Sequence, residues 1–406
     1  MKYFLNLSIL RHNRNYALLF IGQFVSFLGT MITSVALPFQ IYQETHSTLM
    51  VGLLSLAQLV PLLFTALLGG VFADRYHRRM LLFSSELILA LGALVLMLNA
   101  HSTAPSIGII FITAAIMSAF NGLHRPALES IVQQLVAKKD FSAVAALNTF
   151  KYSLCMIAGP ALGGLLIAHV GLVLTYFADV MSFVISLIAL FCMSSVPKPE
   201  TVHQDSAWSS LKTGFRYAFS RQELVGTYTV DFIAMVFGMP SALFPAIAHA
   251  HGGAKVLGML YSAPAIGALV VSLFSGWTHS IKRHGAAIAI AALGWGVAII
   301  GFGFADNLWL GLFFLALAGA FDGVSGIFRT VMWNETIPRE LRGRLAGIEM
   351  ISYLSGPRLG DTEAGLVAAA FGITASIVSG GVLCVAGVVV CSYFLPKFWR
   401  YHSDHS

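Results

Sequence analysis

Long apolar runs separated by short polar gaps dominate the chain and predict an all-α membrane protein. Twelve runs are each long enough for a helix of about 20 residues to cross the hydrocarbon core of a bilayer. Because every backbone polar group inside a membrane must be paired within the protein, spans at this spacing are expected to be helices. The predicted spans cover residues 16–42, 50–73, 80–101, 106–124, 142–168, 171–195, 224–248, 255–278, 285–305, 308–333, 345–371 and 372–396.

Basic residues are concentrated in alternate gaps between the spans, and this bias predicts the orientation. With both termini in the cytoplasm, 19 of the 24 Lys and Arg fall in cytoplasmic segments, and one, Lys255, falls in an outer loop. Cytoplasmic loops of membrane proteins carry this excess of positive charge. We therefore expect a multi-pass protein with both termini cytoplasmic. The first run is expected to be an uncleaved span, because it is too long for the core of a signal peptide.

Composition and motifs narrow the class of protein. The 406 residues are 57% hydrophobic and 10% charged, against about 25% charged in soluble domains. The basic loops account for the net charge of +6, so no nucleic-acid partner is expected. Neither an ATP-binding Gly-x-x-x-x-Gly-Lys-Ser/Thr loop nor a His-Glu-x-x-His zinc motif is present in the sequence. We expect neither an enzyme nor an ATP-driven pump, and no cofactor or metal.

A polar stretch at 196–223 separates the spans into two sets of six. Within it, Trp208, Leu211, Phe215 and Phe219 fall on one helical stripe. Such a stripe is typical of an amphipathic helix that lies on a membrane surface. We predict that this helix belongs to a cytoplasmic linker between the two sets.

The two sets of spans repeat each other in sequence. Residues 119–122, Ala-Phe-Asn-Gly, correspond at an offset of 201 to residues 320–323, Ala-Phe-Asp-Gly. A repeat of this kind indicates two related structural units. We predict a six-helix bundle at 1–195, the linker at 196–223 and a second six-helix bundle at 224–406.

A short charged loop joins the second and third spans. Its notable residues are Gly70, Asp74, Arg75, Arg78 and Arg79. An anion such as Asp74 is stabilised at the amino end of a neighbouring helix, where the backbone dipole is positive. Arg75 or Arg78 is then available to pair with Glu129, an acid near the end of the fourth span. The alternative is a solvated turn that only sets the topology.

The fifth span carries Gly159, Pro160, Gly163 and Gly164. A proline bends a helix, and small residues let a neighbouring backbone approach closely. We expect this motif to be a site of close helix packing.

Several charged residues lie inside predicted spans, where each costs about 2.5–3.5 kcal/mol at a helix centre unless it is paired or wet. Four acids are candidates for carrying a proton, with Asp231 first. Asp322 and Arg329, seven residues apart, share a helix face, and Arg358 with Asp361 has the spacing of an i, i+3 pair. The segment 356–361 is expected to break its helix. The alternative for each charge is a structural ion pair. The four candidate acids are Asp231, Asp322, Asp361 and Glu363.

Basic and aromatic side chains in the spans are candidates for lining a substrate cavity. A cavity with several cations would suit an anionic or polyphenolic substrate, because charge-assisted hydrogen bonds to anions are strong. Arg125 is also spaced to pair with Glu129 on its own helix, and the aromatic residues are also suited to ordinary packing. The candidates are Arg125, Lys151, Arg329, Arg358, Phe24 and Phe27.

The charged loop, Gly-x-x-x-Asp-Arg-x-x-Arg-Arg at 70–79, resembles the signature loop of major facilitator superfamily transporters. This resemblance implies two six-helix bundles that rock about a central site, with Asp74 set against the eleventh helix in one state. His77 stands where many members of the superfamily have Gly. The motif at 157–164 resembles the fifth-helix motif of antiporters in this superfamily, which implies efflux rather than uptake.

Segments near the amino end resemble the enterobactin exporters more closely. They are Asn6–Ser8, Val35–Ile41, Thr45–Thr48 followed by Val51–Leu53, and Gly69–Arg79. Those exporters are bacterial inner-membrane proteins that move a catecholate siderophore to the periplasm. Residues 338–344 and 356–365 resemble a wider branch that also includes macrolide exporters.

We therefore expect a secondary active exporter of the bacterial cytoplasmic membrane. It would exchange protons for a siderophore or a related amphipathic metabolite, with the proton gradient as energy source. The expected partners are this small molecule and the lipid bilayer, and a monomer suffices. The alternatives are a multidrug or macrolide efflux antiporter and, more remotely, a membrane scaffold or sensor that does not transport.

Overall fold

The structure is a computed structural model that describes residues 7–75, 77–194, 207–338 and 341–403. Within these ranges the regular structure is entirely helical. The α-helices are α1 (Ser8–His12), α2 (Arg14–Thr45), α3 (Thr48–Arg75), α4 (Arg78–His101), α5 (Ile107–Leu135), α6 (Phe141–Cys192), α7 (Ala207–Ser220), α8 (Gln222–Phe237), α9 (Phe244–His251), α10 (Ala254–Leu273), α11 (His284–Gly303), α12 (Leu308–Thr336), α13 (Arg342–Phe371), α14 (Ile373–Phe394) and α15 (Pro396–Trp399).

Helical structure covers most or all of each of the twelve predicted spans. Among the described residues, ten helical segments are long and apolar enough to cross a membrane. One of them, α6, holds two predicted spans, because its backbone breaks at Gly171 (φ 79°, ψ 175°). Glycine adopts a positive φ without the steric penalty that other residues meet. The remaining predicted span corresponds to α13, which has 30 residues.

The predicted span 224–248 is confirmed as a candidate membrane span, but two helices form it rather than one. Helix α8 ends at Phe237, a short 3-10 turn spans Ser241–Leu243, and α9 begins at Phe244. Pro240 explains the break, because proline has no N–H to donate and disfavours helical backbone at the residue before it. The break leaves the Gly238 carbonyl oxygen available, and the indole Nε1 of Trp295 donates a hydrogen bond to it at 3.0 Å.

The prediction that residues 356–361 break their helix is wrong. Helix α13 continues through Pro357 without interruption. Membrane helices tolerate an internal proline, because neighbouring groups satisfy the carbonyl that it leaves free. The glycines on either side have a packing role: Gly356 faces the side chain of Met235, and Gly360 faces the backbone of α8.

The chain divides into two compact units. The first comprises Met1–Glu44, Ala57–His203 and Gly252–Gly258, and the second comprises Thr45–Leu56, Gln204–His251 and Met259–Ser406. The predicted domain limits at 195 and 224 stay a prediction.

Each unit has its own buried core. In the first unit, α2, α4, α5 and α6 meet at Leu19, Leu82, Ile131 and Leu190. In the second, Ala218, Leu224, Ile337 and Leu345 form a cluster.

The amphipathic segment of the linker forms helix α7. The Tyr217 hydroxyl donates to the Thr336 carbonyl oxygen at 2.9 Å, which ties α7 to the end of α12. The Phe215 and Phe219 rings stack on each other, and Phe219 is largely exposed. The position of helix α7 on a membrane surface stays a prediction.

Candidate functional site

Three of the predicted residues come together in the second unit as an acid–base cluster, namely Asp231, Asp322 and Arg329. Arg329 forms an ion pair with Asp231 through Nη1, and its Nη2 donates to Asp322 Oδ1 at 3.3 Å. The seven-residue spacing puts Asp322 and Arg329 on one face of α12, where the facing helix α8 contributes Asp231. Arg329 and Asp231 are 12% and 14% exposed, whereas Asp322 is 42% exposed.

The charges of this cluster do not balance. Within the cluster two carboxylates share one guanidinium, and Glu349 of α13 also acts electrostatically on Arg329, so negative charge is in excess when these acids are ionised. A proton on one of the two aspartates would leave a single ion pair between the other aspartate and Arg329. This avoids an uncompensated charge beside largely buried groups. The arrangement therefore suits reversible binding of one proton.

A small cavity adjoins the acid–base cluster. Asp231 and Asp322 line it together with Trp295, Phe321 and Ser325. Its open space of ≈ 10 Å³ is about what a single water molecule requires. This space fits water or a proton path, and it is too small for a cargo molecule.

Asp361 lies at a second polar junction in the second unit. Its carboxylate accepts hydrogen bonds from Ser241, in the turn between α8 and α9, and from Ser55 of α3 at 2.9 Å. Tyr261 donates to the Ser241 carbonyl oxygen at 3.1 Å. These hydroxyl donors explain how a carboxylate is accommodated there. Arg358 and Glu363, on either side of Asp361 along α13, are half-buried.

The start of α3 is bound along α13 beside this junction. Thr362 donates to the Gly52 carbonyl oxygen at 3.1 Å, and Thr48 donates to the Gly365 carbonyl oxygen at 3.3 Å. Gly52 and Gly365 allow the two backbones to approach closely. Residues 45–56 therefore pack with the second unit.

The charged loop is described in part. The predicted contacts of Gly70, Asp74 and Arg75 lie outside what the structure describes. Arg79 Nη2 donates to the carbonyl oxygens of Leu190 at 2.7 Å and Phe191 at 3.0 Å, in the last turn of α6. A cation is stabilised at a helix carboxyl end, where the backbone dipole is negative.

Arg78 contacts the backbone of α5, and its predicted pairing with Glu129 stays a prediction. Its Nη1 donates to the Ser130 carbonyl oxygen at 3.4 Å. Glu129 accepts from Arg125 at 3.2 Å, an i, i+4 pair in which both side chains are more than half exposed. This pair lies on the helix surface, so Arg125 belongs to a solvated pair on its own helix.

The fifth-span motif is a close-packing surface within the first unit. Gly159 faces Met31 of α2, and Gly163 faces the backbone of Ile32. A Cβ atom added at Gly164 would lie 2.5 Å from the Ala254 carbonyl oxygen and 2.8 Å from Gly258 Cα. The motif therefore lets α6 approach both α2 and the start of α10.

The remaining candidates lie between α2 and α6 in the first unit. Lys151 Nζ stands 5.9 Å from the centroid of the Phe20 ring, within range of a cation–π interaction. Phe24 is 6.4 Å from Phe20, and Phe27 stacks on Tyr152 at 5.8 Å. We call Phe20, Phe24, Phe27 and Tyr152, with Lys151, the aromatic strip.

Two buried carboxylates in the first unit were not among the sequence candidates. Glu86 and Asp179 are both fully buried. Asp179 accepts from Thr33 at 2.5 Å and from Ser182 at 3.1 Å. The available signal was a single acid within an otherwise uncharged part of each run, but a sequence does not reveal which acids are enclosed.

Long apolar helices, charges within them and glycine packing surfaces indicate a multi-pass membrane protein. The chain belongs to the transmembrane secretion effector family of the major facilitator superfamily, which matches residues 6–404. This confirms the predicted superfamily and fold class.

Curated relatives match nearly the full chain. An enterobactin exporter of Citrobacter koseri is 28% identical over 389 residues, covering 95% of this chain and 93% of the relative. One of Shigella boydii serotype 18 is 29% identical with the same coverage. The predicted resemblance to the enterobactin exporters is confirmed.

Solved structures share the fold at low sequence identity. A POT family transporter in complex with 5-aminolevulinic acid has a TM-score of 0.75 and 12% identity, covering 95% of this chain and 97% of that one. A bacterial homologue of the human lysosomal transporter Spinster has a TM-score of 0.73 and 14% identity, covering 97% and 98%. At this identity the likeness supports the fold alone.

Proposed function

We propose that the protein exports a siderophore of the enterobactin type, or a related amphipathic metabolite, in exchange for protons. It would act as a monomer in the bacterial cytoplasmic membrane, with both termini in the cytoplasm and the proton gradient as energy source. The observation that carries the proposal is the match to enterobactin exporters over 95% of the chain.

The acid–base cluster supports the proton-coupled part of the proposal. Asp231 and Asp322 compete for Arg329, so a proton on one acid frees the guanidinium to pair fully with the other. Exchange of partners in this way would link proton binding to the relative position of α8 and α12. Asp361 and Glu363 on α13 are further proton carriers in this proposal.

The aromatic strip supports an aromatic, anionic cargo. Phe24 and Phe27 offer ring faces for stacking, and Lys151 offers a charge for a catecholate oxygen. Arg358 on α13 is a separate candidate cation in the second unit. We propose that cargo contacts begin at the aromatic strip.

The packing surfaces support conformational switching. Arg78 and Arg79 fix the start of α4 against α5 and α6, and Asp74 and Arg75 precede them in the charged loop. The motif from Gly159 to Gly164 holds α6 against α2 and α10. We propose that the loop and the motif stabilise opposite ends of the transport cycle.

The test is complementation of a siderophore-producing strain that lacks its own exporter, grown under iron starvation. Siderophore in the culture fluid and in the cells is measured separately. The wild-type protein should restore secretion, Asp231→Asn should not, and Asp306→Asn, an acid-to-amide change in an exposed loop, should restore it. Unrestored secretion by the wild-type protein at normal membrane abundance would contradict the cargo, and macrolide susceptibility of the same strains would then test drug efflux.

A further inference from the structure

Glu86 lies at the centre of a buried polar cluster in the first unit. Its Oε1 accepts from the Gln23 amide of α2, and His124 Nε2 of α5 lies 3.3 Å from the same oxygen. Gln23 also donates to Ser186 of α6 at 3.4 Å. We call Glu86, Gln23 and His124 the Glu86 cluster; its three members come from three different helices.

The second carboxylate oxygen of Glu86 has no hydrogen-bond partner among the described residues. The side chain is fully buried, so this oxygen also lacks contact with bulk solvent. A buried polar atom without a partner is costly, and more so when it carries charge. A proton on Oε2 forms a neutral carboxylic acid while Oε1 keeps its bond from Gln23.

His124 lies between the buried Glu86 carboxylate and the surface of the first unit. Its side chain is 17% exposed, whereas Glu86 is 0% exposed. One imidazole nitrogen faces Glu86 Oε1, so the ring can take a proton at its accessible edge and pass one to the carboxylate. The pair thus has a proton site and a route to it.

Among the side chains that the structure describes, the charged groups around the Glu86 cluster bind elsewhere and supply no fixed counter-ion to it. On its own helix, Arg78 and Arg79 bind the carbonyl oxygens of Ser130, Leu190 and Phe191. On α6, Asp179 is bonded to Thr33 and Ser182, and Lys151 stands over the Phe20 ring. On α5, Arg125 pairs with Glu129 at the surface.

This environment differs from that of the other buried acids. Asp231 has a cation beside it in Arg329, which it shares with Asp322, and both oxygens of Asp179 accept hydroxyl donors. Glu86 alone among these three combines an unpartnered oxygen with a titratable neighbour that reaches the surface.

We propose that Glu86 and His124 form a second proton-binding site, in the first unit, that is loaded and emptied during the transport cycle. The proposal rests on the proposed proton-coupled export, in which the acid–base cluster of the second unit is the first such site. Each step is a proton transfer: an N–H bond of protonated His124 breaks as an O–H bond forms on the Glu86 carboxylate, which His124 Nε2 approaches at Oε1, and the reverse transfer empties the site.

Infrared difference spectroscopy of the purified protein tests proton binding without any cargo. A protonated carboxyl group absorbs apart from a carboxylate, so spectra in acidic and alkaline buffer should differ by a band that Glu86→Gln removes. Ser85→Ala, a buried neighbour bonded within its own helix, and Asp179→Asn should both keep the band. His124→Gln should slow its appearance after a pH jump.

Transport by the same variants tests coupling. In reconstituted vesicles, Glu86→Gln should lose siderophore accumulation driven by a pH gradient while keeping exchange of labelled for unlabelled siderophore without a gradient. A merely structural role would reduce both activities together.

Three results bear on the proposal in different ways. Absence of a pH-dependent Glu86 band would overturn it, and so would a Glu86→Gln protein that couples like the wild type. A Glu86 band in a wild-type protein that moves no siderophore would refute the proposed cargo and support the proton site.

Discussion

At the scale of single residues, Arg329 is the centre of the charge balance in the second unit. Replacing it with Gln leaves Asp231 and Asp322 close together without their shared cation. Breaking a buried pair by removing one partner typically costs about 3–5 kcal/mol. We expect Arg329→Gln to lower thermal stability in detergent strongly, and Asp231→Asn in the same chain to restore part of the loss.

A double-mutant cycle measures that restoration, and the exposed pair Arg125–Glu129 is the matched control. Direct coupling between contacting residues is typically about 0.5–3 kcal/mol. The control pair, on the helix surface, should show only about 0.3–0.5 kcal/mol. If the effects of Arg329→Gln and Asp231→Asn simply add, the ion pair does not stabilise the unit as described.

The sequence identified the charged residues of the site better than it identified the residues that they contact. Charges within apolar runs identified Asp231, Asp322 and Arg329, and the seven-residue spacing indicated the contact on α12. The pairing of Asp231 with Arg329 joins two helices that are distant in sequence. Only the fold brings them together, and for the same reason the enclosure of Glu86 was missed.

At the scale of helices, the glycine surface of α6 is tested by adding a side chain. Gly164→Val would place atoms against Ala254 and Gly258 of α10. Overpacking of this kind typically costs about 1–3 kcal/mol. We expect a lower unfolding temperature and reduced transport per molecule.

Gly108→Val on α5 is the matched control for this prediction. Gly108 is exposed, and the nearest atom to an added Cβ is Ser106 Oγ at 3.8 Å. Its effect should stay within about 0.5 kcal/mol, as for most surface changes. Equal losses from the two substitutions would show that close packing at Gly164 is not the cause.

The sequence predicted where the helices lie better than it predicted where they break. Apolar runs of sufficient length specified each span, because a membrane leaves the backbone few alternatives. Proline and glycine did not by themselves predict whether a helix breaks. Gly238 and Pro240 accompany a break, whereas Gly356 and Pro357 lie within an unbroken helix. The difference depends on neighbouring groups such as Trp295, which a local pattern does not contain.

At the scale of the whole molecule, the charge bias of the loops and the internal repeat predicted a two-part membrane protein, and the resemblance of the loop at 70–79 pointed to the superfamily. Such features describe how many times a chain crosses a membrane. The match to a transmembrane family over residues 6–404 is consistent with a multi-pass protein. Cargo is different, because it depends on a few side chains such as those of the aromatic strip. Similar helices carry many cargoes in this fold.

The central claim is that a proton gradient drives siderophore export, and inside-out membrane vesicles test it most directly. Their outer face is the cytoplasmic face, so purified siderophore is added outside while the lumen is held acidic. The account predicts that vesicles with the wild-type protein accumulate siderophore, release protons from the lumen in step, and lose both on addition of a protonophore. Accumulation that is unaffected by collapsing the gradient, or a gradient that moves no siderophore through the wild-type protein, would contradict it.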